Sequence, residues 1–437
     1  MVDRQKKSPV DQYLASHGEP ETLSLAKLDL AKSEPGVCKA GPFRFCLVIP
    51  AFQEDWQELQ LVWKQLNRDC LIIIVANSAV EDDPVTRKLI KDIESESASL
   101  SSNEALTCLK TRDQRTLVLV DRCTHPVPEK QGVGLARKIG ADIALTLINK
   151  HQVTTPWIFT TDADVRLPAS YFDGFTQVDR QAPGKDVAAR IYPFTHYSAT
   201  ETREACTLYE IALHYYVCGL RYASSPYAFT TVGSTIAISA RHYAQVRGFP
   251  KRSAGEDFYL LNKLAKTGSV DQLTEPRIEI SGRLSRRVPF GTGVSIGKIL
   301  QLASPASDYR YYNPAIFHCL KQFLFELNQS RSASDLKNYF SDSRVRPWCE
   351  AANLFVVIES KQNQKPEVFQ KFIHDWMDSF RTLKLVHFLQ EHYFPGVSLG
   401  GIFDGAILPP LGEVDLSDLT KLKKLVTTDR QPAQSGR

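Results

Sequence analysis

The sequence predicts an α/β fold, a mostly parallel β-sheet flanked by helices and followed by a helical C-terminal region. Three observations predict it. Apolar runs FRFCLVIPAF, CLIIIVAN, RTLVLVDRC and TPWIFTTDAD alternate with helix-like stretches such as DWQELQLVWKQLN and GVGLARKIGADIALTLINK, the rhythm of βαβ units. These runs are apolar on both faces, as strands buried between helical layers are. Beyond about residue 300, AIFHCLKQFLFELNQ, VRPWCEAANLFVVIESK and PEVFQKFIHDWMDSFRTLKLVHFLQEHYF space their apolar residues by three and four, the period of amphipathic helices.

A chain of 437 residues with 43% hydrophobic and 23% charged side chains can bury a substantial core. The pattern divides it into a polar N-terminal extension over 1–40, an α/β domain over 41–300, a helical region over 301–412 and a polar tail over 413–437. ESESASLSSNEA at 94–105 reads as a solvated loop. Fifty-three Lys and Arg against 49 Asp and Glu give a formal charge of +4, too mild to point to nucleic acid. Apolar runs at 43–52 and 71–80 are strand-sized, short of the roughly 18–20 residues a membrane span needs. The first residues lack the apolar core of a secretory leader. Nine scattered cysteines contain no CxxC pair, so neither a disulfide framework nor a zinc ribbon is indicated. A cytoplasmic protein is expected, with peripheral attachment to a membrane left open.

Ligands of open α/β sheets bind beyond the carboxyl ends of the strands, which directs attention to residues 50–54, 77–83 and 162–164. The sharpest feature is TTDADVRLP, where Asp162 and Asp164 follow the apolar strand WIFT. Paired carboxylates are hard oxygen donors suited to Mg²⁺ or Mn²⁺. Taken alone, such a pair is more often a solvated turn whose Asp caps the next helix.

Further motifs follow in order. LVIPAFQE ends the first strand, VANSAVEDD the second, GVGLARKIGADIA precedes TDAD, and GFPKRSAGEDFYLLNKLAKTG comes later. Over roughly residues 43–300 this ordered series resembles glycosyltransferase family 2, the GT-A fold of nucleotide-sugar-dependent transferases. The C-terminal helices fall outside the resemblance. It implies that Pro50, Ala51, Phe52 and Glu54 line a nucleoside pocket, and that Asn77 with Asp82 or Asp83 sits across base and ribose. It further implies that Asp164 touches the metal, that Asp162 meets the ribose or a metal-bound water, and that Arg137 lies near the donor pyrophosphate. The chain departs from the family in VANSAVEDD, which has an Asn and a shifted acid where an Asp commonly precedes the Ser.

The chemistry agrees with these roles. A departing nucleoside diphosphate gathers negative charge, which a carboxylate-held divalent cation neutralises. An attacking hydroxyl must lose its proton, and a positioned carboxylate accelerates that by roughly 10²–10⁴-fold. Asp257 is the candidate base, at the start of a helix whose dipole favours its ionised form; Glu256 competes for the role, and a helix cap is the plain alternative. SGRLSRRVPFGTGVSIG at 281–297 joins three arginines to a Gly-Thr-Gly turn, which suits a flap in which Arg286 or Arg287 closes on the diphosphate and equally a surface loop of solvated charges.

The resemblance therefore implies a soluble transferase, most simply a hexosyltransferase, that uses Mn²⁺ or Mg²⁺ and moves a sugar from a UDP- or GDP-sugar to a hydroxyl of a saccharide or small molecule, with inversion. Alternatives are a retaining transferase, a sugar-phosphate nucleotidyltransferase of similar fold, and a non-catalytic nucleotide-sugar-binding module.

Overall fold

The computed structural model describes residues 8–25, 43–175, 186–285, 287, 291–338, 340–410 and 415–427. Two compact units divide the chain, Met1–Tyr197 with Thr231–Ser281 and Ser198–Thr230 with Gly282–Arg437. These cuts differ from the expected boundaries, because a segment from the middle of the α/β region belongs with the C-terminal helices.

The first unit carries β1 (Phe45–Ala51), β2 (Cys70–Asn77), β3 (Ser97–Ser102), β4 (Leu106–Thr111), β5 (Thr116–Arg122), β6 (Trp157–Thr160), β7 (Val165–Arg166), β8 (Val187–Ile191), β9 (Phe194–Tyr197), β10 (Ile236–Ser239), β11 (Ser269–Gln272) and β12 (Ile278–Ser281). Nine of these form one sheet in the order β11-β8-β10-β6-β1-β2-β5-β4-β3, and β7-β12-β9 form a smaller one. The centre, β6-β1-β2-β5, is parallel, with Pro50 opposite Val75 and Ala76 opposite Asp121. β10 and the β3–β4 hairpin add antiparallel pairs. Every residue of β1 and β2 is buried, as the unbroken apolar runs require. The α/β class read from the sequence is found, as is the helical C-terminal region.

Helices α1 (Pro9–His17), α2 (Glu21–Leu25), α3 (Trp56–Gln60), α4 (Pro84–Ser95), α5 (Gly132–Asn149), α6 (Arg203–Tyr222), α7 (Ala240–Gln245) and α8 (Glu256–Leu264) follow along the chain; all but α6 belong to the first unit. α5 lies close on the sheet because Gly140 has no Cβ, which would stand 2.3 Å from Val48 Cγ1. The N-terminal stretch is anchored to α5: Lys138 Nζ donates to Tyr13 Oη at 2.9 Å and to Asp142 Oδ2 at 2.6 Å, and Tyr13 Oη donates to Asp142 Oδ1 at 2.6 Å.

One expectation is overturned by the hairpin. The segment read as a solvated loop over 94–105 contains the end of α4 and the edge strand β3. β3 is half-exposed and serine-rich; an edge strand pairs through its backbone and can do without an apolar pattern, which is why its sequence looks like a loop.

The second unit is helical, with α6, α9 (Thr292–Leu300), α10 (Pro305–Asp308), α11 (Pro314–Gln329), α12 (Ala333–Asn338), α13 (Arg346–Ala351), α14 (Leu354–Glu359), α15 (Pro366–Trp376), α16 (Ser379–His392) and α17 (Leu419–Thr427). Its core gathers Tyr215, Phe317, Leu320, Leu385 and Leu389. The stretch expected as a polar tail contains α17, which buries Leu422 and Val426 and pairs Lys423 Nζ with Glu210 Oε1 at 2.8 Å. No helix among the described residues is long and apolar enough to cross a membrane.

Candidate active site

Three separate stretches of the first unit meet at one buried guanidinium. β6 ends at Thr160, the chain stays bonded to β1 through Thr161 N–H to Val48 O at 3.0 Å, and the loop of Asp162–Asp164 then carries it into the smaller sheet at β7. On α5, the first turns come within reach of residues 250–252 because Gly134 lacks a Cβ, which would stand 2.5 Å from both Pro250 O and Arg252 O. That contact places the start of α8 against α5. Between them lies Arg137, whose Nε donates to Glu256 Oε1 at 2.8 Å and whose Nη1 donates to Thr160 Oγ1 at 2.7 Å, while Nη2 is ion-paired with Asp162 Oδ1. Burial alone would lower the pKa of Arg137; the carboxylates of Asp162, Glu256 and Asp257 outweigh it and raise it.

The two neighbouring acids of α8 have different surroundings. Glu256 is buried and committed to Arg137. Asp257 is half-buried and accepts from the Phe258 N–H through Oδ1 at 2.7 Å. Its carboxyl is pushed up to about 7, first by burial, then by Glu256, with Asp162 adding; the Phe258 N–H and Arg137 oppose the rise. Asp162 has a side chain 37% exposed, so its second oxygen lies outside the Arg137 pair. Asp164 is half-buried, and its carbonyl accepts from Tyr197 Oη at 3.1 Å. Among the described residues no three His, Cys, Asp or Glu side chains stand together as a metal cage.

The sequence missed Gly233, which sits in a tight turn before β10. A Cβ there would stand 2.7 Å from Arg137 Nη2 and 3.3 Å from Asp257 Oδ2. Arg137 is held on three sides and has nowhere to retreat. Gly233→Ala is therefore expected to lose roughly 1–3 kcal/mol of stability through overpacking and to displace the acids; a thermal melt unchanged from the parent protein would contradict this.

At the ends of β1, β2 and β5 the expected donor-side residues take varied positions. Pro50 and Ala51 are buried within β1, Phe52 is half-buried, and Glu54 is buried just beyond. Asn77 closes β2, buried to 6% exposure, with its Oδ1 lacking a hydrogen-bond partner. Asp82 is exposed and ion-paired with Arg87. Asp83 caps α4, its Oδ1 accepting from Thr86 N–H and its Oδ2 from Gln53 Nε2, both at 2.9 Å.

A fourth acid, Asp121 on β5, was not anticipated although the VLVD strand end carries the same signal as the others. It accepts from the N–H groups of Cys123 at 2.8 Å and Thr124 at 2.9 Å, and from Arg87 Nη1 at 3.0 Å. Burial would raise its pKa, but the Thr124 hydroxyl, these N–H groups and Arg87 pull it below the ordinary value.

The expected flap falls in the second unit. Arg287 is exposed at a bend, its N–H donating to Ser285 Oγ at 3.3 Å, while Arg286 lies outside the described residues. The Gly-Thr-Gly turn starts α9, with Gly291 at φ 122°.

Comparison with solved structures finds likenesses at low identity. TarS 1–349 from S. aureus in complex with UDP-GlcNAc is 11% identical, over 80% of this chain and 91% of that one, with a TM-score of 0.37. The mannosyltransferase PcManGT from Pyrobaculum calidifontis, in complex with GDP-Man and Mn²⁺, is 14% identical over 88% and 86%, with a TM-score of 0.33. GalNAc-T7 with UDP, GalNAc and Mn²⁺ is 11% identical over 87% and 65%, with a TM-score of 0.35. No family model matches the sequence, and no curated protein matches it either.

Proposed function

We propose that this chain is a metal-dependent glycosyltransferase of the GT-A type, resembling family 2, which moves a hexose from a UDP- or GDP-sugar to an acceptor hydroxyl with inversion. The observation that carries the reading is the meeting of Asp162, Glu256 and Asp257 around Arg137. Acids distant in sequence are gathered beyond the end of a central parallel strand, where open α/β sheets bind ligands.

The donor set suits Mn²⁺ or Mg²⁺. Such ions take one or two carboxylates and complete their shell with water and substrate phosphate, so Asp164 and the outer oxygen of Asp162 would hold one without a third protein ligand. When bound, the ion neutralises charge on the departing diphosphate. Arg137 acts on the protein side, fixing Asp162 against Glu256 as well as raising the positive potential near the phosphates. Asn77 offers an unpartnered buried acceptor to the donor's base or ribose, beside Pro50, Ala51, Phe52 and Glu54, with Asp82 at the rim.

Glu256 is occupied by Arg137, which leaves Asp257 as the base. Its carboxylate takes the proton of the acceptor hydroxyl as that oxygen attacks the anomeric carbon, and the bond to the diphosphate oxygen breaks on the opposite face. The raised pKa makes it a stronger base than an ordinary aspartate while it stays substantially ionised near neutral pH.

The test is release of UDP or GDP from a panel of nucleotide sugars with Mn²⁺ present, with and without candidate acceptor sugars. Turnover that vanishes on chelation with EDTA and returns with Mn²⁺ or Mg²⁺ is expected. Failure of the chain to bind UDP or GDP by calorimetry, with or without the metal, would sink the reading.

A further inference from the structure

We propose that the half-exposed face of the small β7-β12-β9 sheet is an acceptor subsite for a sugar or small molecule bearing a carboxylate or phosphate, with Arg166 as its anion-binding group. This rests on the transferase reading above.

β12 is the middle strand, pairing Glu279 with Arg166 on one side and with Thr195 on the other. Ser281 faces Tyr197 across the same strand. Side chains two apart on a strand share a face, so Arg166, Glu279, Ser281, Thr195 and Tyr197 lie on one side. Val165 and Ile280 turn to the other and are buried. Asp164, immediately before β7, shares the side of Arg166 by the same alternation.

Arg166 is exposed, and its guanidinium carbon stands 4.2 Å from the centroid of the Tyr197 ring. Glu279 lies opposite it in the register, yet no ion pair joins them among the described residues. A guanidinium laid on an aromatic face keeps its N–H edge for a ligand, and that planar fork matches a carboxylate or phosphate with two parallel hydrogen bonds. Stacking also restricts a long side chain in advance, so less freedom is lost on binding. The same tyrosine donates through Oη to the carbonyl of Asp164. One residue thus supports both the candidate metal-binding loop and the anion-binding fork, which places an anionic acceptor beside the donor's diphosphate end.

The experiment measures calorimetric binding of glucose 6-phosphate, glucuronate and glucose to the full chain, in the presence and absence of Mn²⁺ with UDP or GDP. Glucose 6-phosphate or glucuronate should bind at least about tenfold more tightly than glucose, and which of them binds identifies the anion. Arg166→Ala should abolish the preference, Arg166→Lys should weaken it, and Tyr197→Leu should reduce it by releasing the guanidinium. Arg166 is exposed, so its variants should melt as the parent protein does. Equal binding of all three sugars, or a preference that survives Arg166→Ala, would overturn the subsite. Binding of UDP or GDP is read separately in the same samples; its absence counts against the transferase reading, whereas the anion preference alone decides the subsite.

Discussion

Asp257→Asn is expected to reduce sugar transfer by roughly 10²–10⁴-fold while UDP or GDP binding is retained, because the amide keeps the shape of the side chain and cannot accept a proton. The parent protein should show a matching pH profile. With the carboxyl at about 7, the active anion is scarce at pH 5 and dominant at pH 8, so turnover under saturating donor should rise with pH to a midpoint near 7. The stability effect has the opposite direction. Asp257 binds its proton more tightly in the folded chain than in the unfolded one, so its contribution to stability falls as pH rises from its ordinary value of 3.8 to about 7. Asp257→Asn removes that penalty and should melt at a higher temperature than the parent protein at pH 8, with little difference at pH 4. Glu256→Gln should behave differently, losing stability at neutral pH because it weakens the Arg137 pair. A variant at 257 with full turnover, or a flat profile between pH 5 and 8, would remove Asp257 from the role of base.

Much of this architecture was legible because buried parallel strands write themselves as unbroken apolar runs. CLIIIVAN and FCLVIPA are wholly buried strands, and the polar residues that follow each mark a strand end. The same rule points to Asp162, Glu54 and Asn77, and Asp121, the last acid of the RTLVLVDRC run, carries the same mark. Other features depend on tertiary contact. Whether Glu256 or Asp257 is free to act turns on which one Arg137 reaches, and Arg137 is 119 residues from Glu256. The importance of Gly233 lies in what stands beside it, since GSTIAI carries no sign of an arginine from a distant helix. Asp82 and Asp83 are alternatives in the sequence because adjacent acids look alike there, whereas a helix start uses one as its cap and leaves the other to a surface ion pair. The edge strand β3 was missed for a related reason, as backbone pairing at a sheet margin leaves little mark on side-chain pattern.

Arg137→Ala should be the most destabilising single change in the first unit's acid cluster, costing about 3–5 kcal/mol and abolishing transfer. The side chain of Arg137 is 3% exposed and that of Glu256 6%, so deleting the guanidinium leaves a buried carboxylate without its partner, and Thr160 Oγ1 and Asp162 lose theirs as well. Asp162, at 37% side-chain exposure, can turn to water and contributes little to the loss; Glu256 cannot. Arg137→Lys should recover only part of the stability, because an ammonium is a compact charge and cannot present a planar fork to Glu256, Thr160 and Asp162 together. The decisive comparison is the double variant Arg137→Met with Glu256→Gln. Replacing both members of a buried pair removes two desolvation costs along with one attraction, so the double variant should melt well above Arg137→Ala. It should nonetheless remain inactive, because Asp162 then loses the group that ties it to the start of α8, next to Asp257. Recovery of stability without recovery of transfer separates the two proposed duties of Arg137, partnering a buried acid and tying Asp162 to the start of α8. A double variant that regained transfer would make Arg137 a structural residue only, and an Arg137→Ala chain with unchanged melting would mean that Glu256 finds solvent or another partner in the folded protein.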